Sequence, residues 1–163
     1  MGVSGSGKTT VGRLLAENMG WSYYDGDDFH GRENIDKMAR GLALNDDDRS
    51  LWLDSITQHI RVLVERQQDA VFSCSALKQQ FRNKLLLASD HIGFVYLKGS
   101  MRLIKERLAA RQSHFFKADL LLSQFDALEE PSDVMVADID QSPAQISNLI
   151  QLHFGLSPKS GSI

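Results

Sequence analysis

The opening residues of the chain carry its most chemically specific pattern. Gly2, Gly7, Lys8 and Thr9 have the spacing G-x-x-x-x-G-K-[ST], with Val3, Ser4, Gly5 and Ser6 between them. Glycines let successive backbone N–H groups point inward around a phosphate, and a helix starting directly afterwards adds its positive end. Lys8 would reach the β- and γ-oxygens, and Thr9 would offer its hydroxyl to Mg²⁺. The pattern predicts a loop that binds a nucleotide phosphate chain.

The alternative interpretation of this segment is a flexible glycine- and serine-rich terminus. The following residues favour the loop, because Val11, Leu15 and Met19 recur at helical spacing and Gly20 stands where a helix would end. One feature does not fit a simple phosphate-binding loop. Such a loop normally follows a strand, and here only Met1 precedes Gly2. Either the true start lies upstream, or the chain is a fragment whose sheet lacks its first strand.

Two carboxylates form the second candidate site. Asp25 and Asp27 follow a short aromatic run, 21–24, which predicts a strand with the acids at its carboxyl end. That end is the ligand-binding edge of an open α/β sheet. We expect Asp25 to face the metal's water shell and an attacking hydroxyl, and a solvated acidic turn is the alternative. No acid follows the strand predicted over 70–74, so Mg²⁺ would rely on Thr9, phosphates and water.

Arginines are the candidates for binding anions. Arg49 follows three aspartates and either binds a carboxylate through two hydrogen bonds or pairs with Asp46 or Asp47 on a helix surface. Arg82 is a second carboxylate or phosphate ligand, or else a solvated helix residue. Arg107 and Arg111 lie four residues apart, so they would share one helical face and bring two cations over the nucleotide, unless they only stabilise a helix C-terminus.

The remaining pattern predicts an α/β fold. Short apolar runs alternate with amphipathic segments, which is typical of a parallel sheet flanked by helices. We expect helices over about 11–19, 30–40, 47–64, 77–87, 101–111, 120–128 and 143–154, and strands over 21–24, 70–74, 93–97 and 134–139. At 163 residues the chain fits one domain, 1–163.

Composition narrows the function classes. The net charge of −3 does not favour nucleic acid or an anionic membrane, and no apolar run is long enough to span a bilayer. The single cysteine, Cys74, excludes an internal disulfide and a cysteine-based zinc site, and we expect it to be packed rather than reactive. A cytoplasmic location is the expectation.

Several further motifs carry a family resemblance across nearly the whole chain. They are Asp25-Gly26-Asp27-Asp28-Phe29-His30, Asn34 with Lys37-Met38, Asn45-Asp46-Asp47-Asp48-Arg49 before Trp52-Leu53, Cys74-Ser75-Ala76-Leu77-Lys78, and His114-Phe115 with Ser123-Gln124-Phe125. With the glycine-rich loop they resemble the gluconokinases, which are P-loop kinases of the adenylate-kinase-like group. Gly31 and Leu51 depart from this pattern, because the family usually has proline at both positions.

The resemblance implies phosphoryl transfer from ATP, with Mg²⁺, to the 6-hydroxyl of D-gluconate. It implies catalytic roles for Lys8, Asp25 and Arg111, and a helical lid over about 111–124. Substrate contacts are implied for Asp27, His30, Arg49, Ser75, Arg82 and His114, although a capping or packing role for His30 is an alternative. Gluconokinases often form homodimers. Two other functions stay open: a related kinase for another small acid such as shikimate, and a truncated fragment that at most binds nucleotide.

Overall fold

The structure is a computed structural model that describes residues 1–42, 44–110 and 118–158. The described helices are α1 (Lys8–Met19), α2 (Arg32–Ala39), α3 (Asp46–Glu65), α4 (Gln79–Leu86), α5 (Met101–Ala109), α6 (Ala118–Asp126) and α7 (Pro143–Phe154). The described strands are β1 (Ser22–Asp25), β2 (Ala70–Ser73), β3 (Val95–Lys98) and β4 (Met135–Asp138), and one 3₁₀ turn covers Gly26–Phe29. The predicted α/β alternation is confirmed.

Local sequence explains where the helices begin and end. Asn45 and Ser142 each form a capping box, at the start of α3 and of α7 respectively, and Pro143 opens α7. Gly20 and Gly155 end α1 and α7 in the left-handed conformation that a glycine adopts without strain. The ends of α4 are less predictable: it begins at Gln79 rather than at residue 77.

The sheet is divided into two halves. β1 pairs with β2 and β3 pairs with β4, both in parallel register, with Asp25 opposite Ser73 and Leu97 opposite Ala137. A single sheet was expected, and the described strands instead form two two-stranded sheets. The connection between the halves is made by the first residues, because Met1 hydrogen-bonds to β3 and Gly2 N–H donates to Ser75 O.

The apolar core forms two clusters. One lies among α1, α5, α7, β3 and β4 and includes Leu15, Ile104 and Ile146, and the other joins α3 to α4 through Leu53 and Phe81. None of the described helices is long and apolar enough to cross a membrane. The single domain and the cytoplasmic location stay predictions.

Candidate active site

The glycine-rich loop has the backbone geometry that a phosphate cradle needs. Gly2, Gly5 and Gly7 have φ values of 141°, 81° and 97°, a region that side chains disfavour. A Cβ at Gly5 would also lie 2.9 Å from Leu108 Cγ on α5, so a larger residue at this position would force the Leu108 side chain to shift. α1 begins directly after Gly7, which has no side chain to cap the helix. The first N–H groups of α1 are therefore placed for an anion.

Two side chains of the loop have an arrangement that fits a phosphate group. Lys8 Nζ donates to the carbonyl oxygens of Gly2 and Val3, each at 3.0 Å, so its charge lies directly over the loop. Ser6 is buried, and no hydrogen-bond partner reaches its Oγ among the described residues. A buried hydroxyl without a partner is costly, and a phosphate oxygen would supply one.

Gln124 on α6 also holds the loop, although the sequence did not single it out as a site residue. Its Oε1 accepts from Ser4 N–H at 2.6 Å, and its Nε2 donates to Ser4 Oγ at 3.0 Å. The two residues are 120 positions apart in the chain. Gln124 belongs to one of the motifs that carry the family resemblance, but nothing in its type or spacing indicates a contact with Ser4.

Asp25 lies beside the loop at the carboxyl end of β1. Thr9 Oγ1 donates to Asp25 Oδ2 at 3.4 Å, and the Tyr23 hydroxyl lies 3.1 Å from the same oxygen. Ser73, opposite Asp25 on β2, lies 2.8 Å from the Tyr23 hydroxyl. Because an ionised carboxylate only accepts, Tyr23 donates to Asp25 and Ser73 donates to Tyr23. Burial raises the pKa of Tyr23, which keeps this phenol protonated as a donor.

Asp27 and His30 flank the same edge. Asp27 is exposed within the 3₁₀ turn, and its backbone N–H donates to Asp25 Oδ1 at 3.2 Å. The His30 ring stacks on Trp52 with centroids 4.6 Å apart, so His30 is held in one orientation. Partial burial lowers the pKa of His30, opposed by Asp27 and reinforced by Arg49. Both alternatives for His30 are visible here, since it packs against Trp52 and remains half-exposed at the site.

Arg49 lies on the first turn of α3, near His30. Its NH1 is 3.8 Å from Asp46 Oδ1, the limit of an ion pair. Asp46 is held more closely by Lys78, whose Nζ lies 2.7 Å from Oδ2. Its carboxylate also accepts from Gln80, and Lys78 is the main reason why the pKa of Asp46 is lowered. Arg49 keeps a side chain 35% exposed, which suits contact with a small anion.

Ser75 and Arg82 follow β2 but differ in surroundings. Ser75 is half-buried and accepts from Gly2 N–H at 3.2 Å, which places it at the start of the loop. Arg82 is 2% exposed and donates to three carbonyl oxygens and one side chain: Ala76 O, Leu77 O, Glu129 O and Gln79 Oε1. Arg82 was expected either to bind an anionic ligand or to lie in solvent, and this buried, internally hydrogen-bonded position differs from both expectations. Arg82 has a structural role, because its guanidinium satisfies buried backbone acceptors.

The predicted lid is only partly visible. Arg107 on α5 donates to Ile139 O, in the loop after β4. Arg111 and His114 lie outside the described residues.

Cys74 is buried, and burial raises the pKa of its thiol to about 11, as expected for a packed cysteine. No group of three or more metal-binding His, Cys, Asp or Glu side chains occurs within the described ranges.

The chain is similar in sequence to known small-molecule kinases. The shikimate kinase family model matches residues 4–151. The chain is 43% identical to the thermoresistant gluconokinase of Escherichia coli over 145 residues, covering 86% of this chain and 83% of that protein.

Two solved structures have the same fold. A gluconokinase from Sinorhizobium meliloti superposes with a TM-score of 0.86 at 38% identity, covering 95% of this chain and 89% of that one. An unliganded sugar kinase from Janibacter superposes with a TM-score of 0.90 at 35% identity, covering 100% of this chain and 96% of that one. Loop, fold and relatives agree, and the chain belongs to the gluconokinase family of P-loop kinases.

Proposed function

We propose that this protein transfers the γ-phosphoryl group of ATP to the 6-hydroxyl of D-gluconate, giving 6-phospho-D-gluconate and ADP. The observation that carries the proposal is the contact between Thr9 and Asp25, which brings a carboxylate to the edge of the phosphate-binding loop. A kinase needs an alcohol and a terminal phosphate in line at one place. The relatives named gluconokinase supply the substrate class.

The loop residues would bind the triphosphate. Backbone N–H groups between Gly2 and Thr9 surround the phosphates, and Ser6 Oγ gains the partner that it lacks. Lys8 exchanges its two carbonyl acceptors for phosphate oxygens, because an anion is a stronger partner than a neutral carbonyl. Mg²⁺ would supply charge neutralisation on the phosphates when bound, and the Thr9 hydroxyl is the oxygen donor of the loop that is suited to it.

The residues beyond β1 would bind gluconate. Arg49 binds the substrate carboxylate, because its guanidinium is half-exposed and only weakly held by Asp46. Asp27 accepts hydrogen bonds from sugar hydroxyls, and His30 presents its ring edge from the stack on Trp52. Ser75 adds a hydroxyl near the start of the loop. Arg82 is not assigned to the substrate, since its donors are used inside the protein.

Asp25 orients the 6-hydroxyl and accepts its proton. The hydroxyl oxygen forms a bond to the γ-phosphorus while the bond between that phosphorus and the β–γ bridging oxygen breaks. Lys8 and Arg111 stabilise the charge that accumulates on the transferring oxygens. His114 contacts the substrate, and the lid of about 111–124 closes over both ligands, with Arg107 towards the nucleotide. Homodimer formation remains a prediction.

Shikimate is the second candidate substrate, favoured by the shikimate kinase model that matches residues 4–151. The purified protein is assayed with gluconate, shikimate, other small acids and nucleoside monophosphates, and coupled ADP detection measures the turnover of each acceptor. This assay separates the two candidate substrates. We expect ADP release with gluconate that depends on Mg²⁺ and exceeds that with every other acceptor. Turnover with shikimate alone would assign the second function. ATP binding without turnover on any acceptor would support the non-catalytic alternative.

A further inference from the structure

A buried asparagine lies beside the residues proposed to bind gluconate. Asn34 is in the first turn of α2 and is 7% exposed, and the proposed reaction gives it no role. A buried side-chain amide is costly unless its polar atoms find partners. Its Nδ2 lies 2.9 Å from Asp48 O, on the first turn of α3, and 3.3 Å from Nδ1 of His30. One amide nitrogen therefore contacts both a helix and a histidine of the proposed substrate site.

The contact with Asp48 determines which atom of the Asn34 amide faces His30. A backbone carbonyl oxygen can only accept a hydrogen bond, so the Asn34 atom beside Asp48 O is the NH₂ nitrogen and not the amide oxygen. Asp48 is itself held in place, because its carboxylate pairs with Lys37 Nζ at 2.5 Å and closes the capping box with Asn45. The second hydrogen of the NH₂ group is then available to His30 Nδ1.

This orientation of the amide selects one form of the imidazole. A ring nitrogen that faces an N–H donor must accept, so Nδ1 of His30 carries no proton. A neutral imidazole has one N–H, which is then on Nε2. The ring stacks on Trp52 with an interplanar angle of 17°, and the Trp52 indole N–H donates to Gly26 O at 2.6 Å. His30 is therefore held in one plane as a donor at Nε2.

The surroundings of His30 also favour the neutral ring. Partial burial lowers the pKa of His30, the Asp27 carboxylate of the 3₁₀ turn opposes this effect, and the Arg49 guanidinium of α3 reinforces it. A proton on Nδ1 would in addition point at the NH₂ group of Asn34, donor against donor. The geometry and the nearby charges therefore agree on a neutral ring with its proton on Nε2.

A neutral donor next to a carboxylate suits a hydroxyl group of the substrate. The carboxylate of gluconate gains more from a cation, which Arg49 provides. An ionised carboxylate such as that of Asp27 only accepts, whereas Nε2–H of His30 only donates. A hydroxyl both accepts and donates, so one substrate hydroxyl can satisfy the two residues together. The other tautomer would present two acceptors to a group that has a single proton.

We propose that Asn34 is a positioning residue, which holds His30 as the neutral Nε2–H tautomer so that His30 donates to a gluconate hydroxyl while Asp27 accepts from it. The identity of the substrate rests on the proposed function. The relationship between Asn34 and His30 is a property of the chain without substrate, so it is measured without turnover. Asn34 acts through His30, because its amide is buried against Asp48 O and the imidazole.

Nitrogen NMR of the intact chain tests the tautomer. The protein is labelled with ¹⁵N-histidine, and the His30 signals are assigned by comparison with the variant His30→Gln. In long-range ¹H–¹⁵N spectra, the ring nitrogen without a proton resonates far downfield of the one that carries it. We expect His30 to show the pattern of a single Nε2–H form above neutral pH. A pattern of the Nδ1–H form, or the averaged pattern of a solvent-exposed histidine, would overturn the proposal.

Two substitutions of Asn34 remove the selection of the tautomer. In Asn34→Asp a carboxylate replaces the donor, so the proton should move to Nδ1 and the pKa of His30 should rise. In Asn34→Leu both tautomers become accessible, so the two nitrogen signals should move towards each other. Asn83→Asp is the matched control, because Asn83 is exposed on α4 and its substitution adds the same charge. It should keep the original pattern.

The spectra also show whether Asn34 has this role. An unchanged His30 pattern in the folded Asn34 variants would overturn it. If Asn34→Asp does not fold, Asn34→Leu and the spectrum of the unmodified chain still decide the outcome.

Kinetics connect the tautomer with substrate binding. We expect the gluconate KM to rise about tenfold in Asn34→Asp and about fivefold in Asn34→Leu, with kcat and the ATP KM changed less than about twofold. Glutamine carries an N–H donor at a distance similar to Nε2 and has no tautomers. In a His30→Gln background, Asn34→Leu should therefore change the gluconate KM less than about twofold. Equal effects of Asn34→Leu in the two backgrounds would make Asn34 a purely structural residue and overturn the proposal.

The two measurements separate this proposal from the proposed function. A chain that phosphorylates gluconate but shows the wrong tautomer, or no coupling between Asn34 and His30, overturns the role of Asn34 and leaves the function standing. A chain with the expected spectra that does not phosphorylate gluconate contradicts the proposed function and the assignment of the hydroxyl, while the control of the His30 tautomer by Asn34 is confirmed.

Discussion

The Tyr23 hydroxyl donates a hydrogen bond to the Asp25 carboxylate over 3.1 Å, two residues further along the same strand. The side chains of residues i and i+2 share one face of a strand, so β1 itself brings the pair together. Ser73 on β2 then fixes the phenol from the other side at 2.8 Å. Tyr23 is thereby a positioning residue for the proposed catalytic carboxylate, and nothing in its local sequence indicates that role.

Tyr23→Phe removes this donor and leaves the ring in place. We expect kcat to fall about tenfold, equivalent to about 1.4 kcal/mol, while the gluconate KM changes less than about twofold. Steady-state kinetics check the split between kcat and KM. Tyr96→Phe is the matched control, because Tyr96 is a buried tyrosine on β3 away from Asp25, and it should keep both parameters. Equal losses in the two variants would make the Tyr23 effect structural.

Lys8→Ala removes the cation over the loop. We expect kcat to fall by about 10²-fold or more, with little effect on gluconate binding, because the charge acts on the transferring phosphoryl group. Kinetics and gluconate calorimetry check this. Lys98→Ala removes an exposed lysine paired with Glu130 and should have no effect on kcat. An active Lys8→Ala enzyme would contradict the assignment of the loop.

Arg49→Ala tests the proposed carboxylate ligand. We expect the gluconate KM to rise by about 10- to 100-fold, since a charge-assisted pair is lost, with a smaller change in the ATP KM. Arg102→Ala is the matched control, because Arg102 forms an exposed pair with Glu106 on one helix, as Arg49 does with Asp46. Unchanged kinetics in Arg49→Ala would return Arg49 to the surface ion-pair interpretation.

Arg82→Met tests the structural role of the buried guanidinium. We expect the free energy of unfolding to fall by roughly 2–4 kcal/mol, because three carbonyl oxygens lose their donor. Urea unfolding measures this loss. The gluconate KM of the folded fraction should not change. A large rise in KM with unchanged stability would instead make Arg82 a ligand.

The Met1 amino group makes stability depend on pH. Burial, reinforced by Lys8, lowers its pKa from about 8.0 to about 5, so between these values the unfolded chain binds the proton and the folded chain does not. The contribution is complete above pH 8 and is lost as the pH falls towards 5. We expect a loss of roughly 2–4 kcal/mol over this range, measured by urea unfolding.

Acetylation of Met1 is the control for this prediction, because an amide does not titrate. The acetylated chain should lose much less stability between pH 8 and pH 5. A residual loss below about pH 6.5 is expected from His30, whose pKa is also lowered, chiefly by burial. Identical pH profiles for the free and acetylated chains would contradict the assignment.

Local structure was largely predictable from sequence. α7 has the predicted bounds, because Ser142, Pro143 and Gly155 encode its two ends within a few residues. The loop and α1 were also predicted, since glycine positions and helical periodicity are local signals. The identity of the family followed from motifs that lie on the same short elements.

Contacts between distant residues were not predictable. Arg82 looks like a surface or ligand-binding arginine in sequence, and only the fold brings Glu129 O to its guanidinium. The hydrogen bonds between Ser4 and Gln124 likewise join residues that are far apart in the chain. Hydrophobic periodicity places a residue on a face of its own element, and it contains no information on which element covers that face.

The amino-acid sequence by itself determined the phosphate-binding loop, the order of helices and strands, and the position of Asp25 at the end of a strand. These depend on backbone conformations and periodicities set by near neighbours. Only the tertiary structure decided that Asp25 meets Thr9, that Tyr23 supports it, and that Gln124 holds Ser4 of the loop. Those relationships arise from packing between segments far apart in the chain, where shape and burial of the whole core select the partners.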